Sequence, residues 1–130
     1  MKHRNIAILM TALDNDAQAE TLKGIEAYAK ENNCNLAVFV WFTGAFEKDK
    51  HNSGEVNNAN LPDLNLFDGI ILFSNTLHME NNKRIIEELV ENITCPLVTI
   101  GCKLGDYPEI RTDNYVAMCE LVEHYIVDHS

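Results

Sequence analysis

Apolar positions along the chain gather into short unbroken runs separated by amphipathic stretches. Ile6 to Met10 (IAILM) is apolar over the length of one strand, the pattern of a parallel strand covered on both faces. Leu36 to Phe42 (LAVFVWF), Phe67 to Phe73 (FDGIILF) and Pro96 to Ile100 (PLVTI) repeat it, and Glu109 to Arg111 predicts a short edge strand. Between the first two runs, Leu22, Ile25, Tyr28 and Ala29 recur at three- and four-residue spacing until KENNCN ends the pattern. A helix is expected from about Asp16 to Asn32. Asn81 to Asn92 places Ile85, Ile86, Leu89, Val90 and Ile93 on one helical face. A last helix, capped by Thr112 or Asp113, presents Ala117, Leu121, Val122 and Tyr125.

Two places fit this rhythm less well. Gly24 sits inside the first helix at a cost of ~1 kcal/mol against alanine, for which close backbone packing is the usual compensation. From Thr43 to Asn65 the chain turns polar and asparagine-rich, offering only a weak helix around Ser53 to Ala59 where a parallel crossover calls for one.

Strands alternating with helices imply right-handed crossovers and an open, doubly wound parallel sheet, an α/β fold of flavodoxin-like strand order 2-1-3-4-5. At 130 residues, one domain with one core accommodates the chain. Sites in such sheets lie outside the carboxyl ends of the strands, here the loops Thr11 to Asp16, Ser74 to Glu80 and Gly101 to Tyr107.

Composition narrows the function classes. Ten basic against 20 acidic residues give a formal net charge of -10, which opposes contact with nucleic-acid phosphates. No apolar run approaches the ~20 residues of a membrane span. The basic start MKHRN precedes only IAILMTAL, without a small-residue cleavage site, so this stretch reads as a strand and the protein as cytoplasmic. Cys34, Cys95, Cys102 and Cys119 form no C-x-x-C pair, and are expected to be reduced and mostly buried.

The candidate chemistry is mainly hydrogen bonding. No glycine stands between Ile6 and Leu22, where a phosphate cradle would need backbone N–H groups to approach an anion. Asp14 and Asp16 resemble the acidic pair of a phosphorylated receiver domain, but the third strand ends in Phe73, Ser74 and Asn75, without the phosphoacceptor carboxylate, and Asp68 lies at its other end. Helix capping is the simpler role for Asp14 and Asp16. Histidines 3, 51, 78, 124 and 129 show no ligand spacing, so neither metal nor cofactor is expected. Trp41, at the end of the second strand, could stack on a ligand but fits a core position better.

Four segments carry a family resemblance: IAILMTALDNDAQAETLKGIEAYAKENN with its Leu22, Gly24, Ile25 and Glu26, then FDGIILFSN, then PLVTIG, then IRTDNYVAMCELVEHYI opening on Asp113 and Asn114. In order and spacing they resemble the sensor domain of the lactose-repressor (LacI/GalR) family, a periplasmic-binding-protein-like fold of which this chain is similar to the N-terminal lobe. The resemblance implies a non-enzymatic domain that binds a small effector of the sugar or nucleoside class between two lobes. It also implies a homodimer through lobe helices. Asn15, Ala17, Gln18, Ser74, Asn75, Thr76, Lys103 and Asp113 are the ligand-facing positions it implies, with Gly101 to Lys103 as one loop.

The departures from the family pattern are also specific. Ala17 and Gln18 stand where many members carry ring-stacking aromatics, and only MKHRN precedes the first strand, without a DNA-reading helix-turn-helix. The expectation is one lobe of a longer sensor, serving a transcription regulator or a downstream signalling enzyme, that would not bind an effector alone. A receiver-like phosphorylation domain or a small flavodoxin-like enzyme is the alternative.

Overall fold

The computed structural model describes residues 2–11, 16–41, 54–55, 57–76 and 80–129. Five parallel strands form one sheet in the order β2-β1-β3-β4-β5: β1 Arg4–Thr11, β2 Cys34–Trp41, β3 Gly69–Phe73, β4 Leu97–Ile100 and β5 Glu109–Ile110. The helices are α1 Asp16–Glu31, α2 Glu80–Glu91 and α3 Asn114–His129. This is the flavodoxin-like order expected from the alternation of strands and helices.

The central strand explains its own composition. Register pairs Ile6 of β1 with Leu36 of β2 on one side and with Gly69 of β3 on the other, so both edges of β1 are bonded and both faces covered. Ala7, Leu9, Ile70, Leu72 and Leu97 point to the face on which Ile86 and Val90 of α2 pack. Ile8, Met10 and Phe73 point to the other, against Leu22 and Ile25 of α1. Each fully buried Ile or Leu contributes roughly 1.5–3 kcal/mol, far more than exposed ion pairs such as Lys23–Glu20.

Local signals set the boundaries. Asn33 takes φ 53° just past α1, the left-handed turn that ends a helix, and the Asn32 side chain donates to the Tyr28 carbonyl. Asp16 is the first residue of α1, where its charge favours the helix N-terminus; Asp14 lies outside the described residues. At the amino edge of the sheet the Asp68 carboxylate accepts from the Asn5 N–H at 2.8 Å, tying the starts of β1 and β3 together. Residues 54, 55 and 57 are helical and Asn58–Asn60 continue as a 3-10 turn, close to the weak helix expected there. β3 starts two residues later than the apolar run, because Leu64–Leu66 form a 3-10 turn capped by Asp63.

Two expectations are corrected, and a third element is found exposed. Gly24 has nothing within 4 Å of where a Cβ would stand, so it answers no close packing in this structure. Cys102 and Cys119 are exposed, Cys102 because it sits in a surface turn beyond β4 and Cys119 because α3 does not pack on the sheet. The face of α3 that carries Leu121, Val122 and Tyr125 is exposed throughout; its periodicity shows an apolar side but not what covers it.

Candidate functional site

The carboxyl ends of β1, β3 and β4 lie side by side, and the reversal of strand order falls between β1 and β3, where open α/β sheets bind their ligands. Two of the loops there are locked together. Ser74–Thr76 form a 3-10 turn directly after β3, and the Ser74 hydroxyl accepts from the Cys102 N–H at 3.0 Å while its single proton is shared between the carbonyls of Cys102, in the loop after β4, and Ile100, at the end of β4. With 7% of its surface exposed, Ser74 is spent on this latch. Gly101 has φ +103° and packs its Cα against the side chain of Asn75.

In front of the latch an apolar groove of about 1330 Å³ opens on the α1 face of the sheet. Phe73, Ile71 and Ile100 form part of its floor, and Ala17, Gln18, Asn75, Gly101 and Thr112 line it toward the carboxyl edge. The structure therefore brings Ala17, Gln18 and Asn75 to one place. Ser74 stands behind them, Thr76 ends the turn, and Asn15 lies outside the described residues. Lys103 is exposed beyond β4 and does not line the groove. Asp113 caps α3, its carboxylate accepting from the Val116 N–H at 3.1 Å.

Thr21 and Arg111 line the same groove and were not among the sequence-derived positions. Arg111 directly follows β5, so the rule that sites gather at strand carboxyl ends was the signal for it. Its guanidinium lies 3.5 Å from the Glu109 carboxylate. Thr21 returns its hydroxyl to the Ala17 carbonyl at 2.8 Å, leaving a methyl as its other contact group. Trp41 is fully buried at the end of β2 with the core.

This arrangement offers amide, hydroxyl and guanidinium groups above an apolar floor, chemistry suited to holding a small polar molecule. The end of β3 holds Ser74 and Asn75 where a phosphoacceptor carboxylate would stand. Among the described residues no group of three or more His, Cys, Asp or Glu side chains could hold a metal, and no helix is long and apolar enough to cross a membrane. Comparison of the chain with protein-family models, with curated proteins and with solved structures finds no match.

Proposed function

We propose that this domain senses a small-molecule effector in the cytoplasm, as one lobe of a LacI-type transcription regulator or a related signalling protein. The observation that carries the reading is the locked pair of loops at the carboxyl ends of β3 and β4, which holds Asn75 in the groove that Ala17 and Gln18 of α1 also line. Loops fixed in this way present hydrogen-bonding groups at low entropic cost, as a binding wall requires. The segments that carry the resemblance support the same reading, because the start of α1 at Asp16, the end of FDGIILFSN at Asn75 and the Gly101 that closes PLVTIG stand at or next to this edge. The effector class that fits is a neutral, hydroxyl-rich sugar or nucleoside. Without stacking aromatics at Ala17 and Gln18, its recognition rests on hydrogen bonds.

The test is a thermal-shift panel of monosaccharides and nucleosides, run on this domain alone and on the domain joined to a second lobe. A ligand that binds only the folded form raises the transition by mass action. The expected result is a concentration-dependent rise for the two-lobe protein, lost on Asn75→Ala, and none for the single lobe. No response from the two-lobe protein sinks the proposal. So does stable aspartyl phosphorylation by a small phosphodonor, which would favour a receiver-like domain sharing this strand order.

A further inference from the structure

The stripe of α1 that faces the groove runs Ala17, Thr21, Gly24 and Tyr28, positions that helical spacing sets on one side of the helix. Glycine inside a helix weakens it relative to alanine, and no packed neighbour accounts for it here, since nothing within 4 Å would meet a Cβ built at Gly24. What the missing side chain leaves is groove width. Any larger residue at this position would occupy space that is now open.

The groove is bigger than a bare sugar or nucleoside needs. Its volume of about 1330 Å³ exceeds the ~300–1,000 Å³ of sites that take whole drug-sized molecules. Its lining is also graded. Hydrogen-bonding groups gather at the carboxyl edge, where Gln18, Thr21, Asn75 and Thr112 stand, whereas Ile71, Val98, Ile100 and Ile110 offer only aliphatic surface along the strands. Of these, the first three are half-buried and Ile110 is 61% exposed, so this face of the sheet is covered less than parallel sheets ordinarily are. Charged lining stands only at the two ends, Arg4 and Asp68 at the amino edge and Arg111 at the carboxyl edge. Between them Pro96 to Ile100 spans roughly 13 Å at the rise of a strand, the reach of a medium-length alkyl chain.

We propose that the effector is an amphiphile, with a hydroxyl-rich head held at Gln18, Asn75 and Thr112 and an aliphatic chain laid past Gly24 over Ile71, Val98, Ile100 and Ile110. The proposal rests on the reading of this edge as the effector site and narrows the ligand class. A polar head at one end and an uncharged chain along the rest match the grading of the lining. Hydrogen bonds at the head fix orientation, and burial of the chain supplies the affinity that ring stacking at Ala17 and Gln18 does not. Gly24 then serves binding against helix stability, a trade common at functional sites.

The test titrates the full chain with N-phenyl-1-naphthylamine, whose fluorescence rises in apolar sites, and displaces it with glucose and with hexyl, heptyl and octyl glucosides below their micellar concentrations. Glucose should not displace the probe. Each added methylene should tighten binding about twofold, half in free energy of the roughly fourfold expected on full burial, because an open groove covers the chain on one side. Gly24→Leu should weaken octyl glucoside at least about tenfold by filling the groove. Urea denaturation of the same variant should show stability equal to or above the parent's, a split of signs that a purely structural glycine would not give. Ile110→Asp, at an exposed floor residue, should also weaken binding, with circular dichroism checking the fold, and it decides alone should Gly24→Leu not fold. Absent probe binding overturns the proposal and means that another part of the chain fills the groove. Affinity that ignores chain length, or unchanged affinity in either folded variant, overturns it as well. Any of these outcomes together with a sugar response from the two-lobe protein sinks the amphiphile and leaves the sensor reading standing.

Discussion

Gly101 and Asn75 stand so close that a Cβ on the glycine would lie 2.4 Å from the Cβ of Asn75, and the glycine's φ of +103° is itself closed to most L residues. This contact, with the Ser74 latch, fixes the β4 loop against the end of β3. Gly101→Ala should therefore destabilise the domain by about 2–4 kcal/mol, from overpacking and backbone strain together. Adding Asn75→Gly removes the clashing Cβ and should recover only the overpacking part. Urea denaturation measures both, and full recovery in the double variant would show that backbone strain contributes nothing.

Ser74→Ala tests the other half of the lock. The hydroxyl serves the Cys102 N–H and the carbonyls of Ile100 and Cys102, so its removal leaves a part-buried N–H without its acceptor. A loss of about 1–3 kcal/mol is expected. Hydrogen exchange at Cys102 should accelerate more than exchange in β1, because the bond acts locally.

How much of this was legible in the sequence follows from what periodicity encodes. The apolar runs IAILM and GIILF have no polar face because β1 and β3 are covered on both sides, so strand identity and order could be read directly. Asn32 and Asn33 announced the end of α1, since asparagine tolerates the left-handed turn found there. The environment of α3 could not be read, because an apolar stripe looks the same whether it meets its own sheet or another molecule. Exposure of Cys102 and Cys119 depended on such tertiary facts, as did the open space at Gly24. At the site, topology named the right loops, but whether a hydroxyl such as that of Ser74 faces a ligand or a neighbouring loop is decided by three-dimensional distance alone.

Gly24 gives a prediction of opposite sign to Gly101. It is helical, with nothing within 4 Å of where a methyl group would stand, so alanine there gains helix propensity without meeting an atom. Gly24→Ala should stabilise by about 0.5–1 kcal/mol. Chemical denaturation reads the shift, and a destabilised variant would mean that something packs against this glycine.

Trp41 is the single tryptophan and is fully buried beside Leu64 and Leu72 in the larger core cluster. Its fluorescence should be blue-shifted and inaccessible to iodide in the folded protein, moving red in the same transition that circular dichroism follows. Effector binding at the carboxyl edge should leave iodide access unchanged, since the ring faces the core. Ready quenching in the native state would place the indole at a surface, where it could stack on a ligand.

Asp113→Ala separates local from global stability. The carboxylate accepts from the Val116 N–H, the bond expected of a helix N-cap, and its loss costs ~1 kcal/mol of helix stability. Because every described side chain of α3 is exposed, that loss in a single chain should fray the helix without weakening the sheet. Far-UV circular dichroism should report reduced helicity while the Trp41 unfolding midpoint stays in place. A fall in the midpoint would instead place α3 against its own sheet.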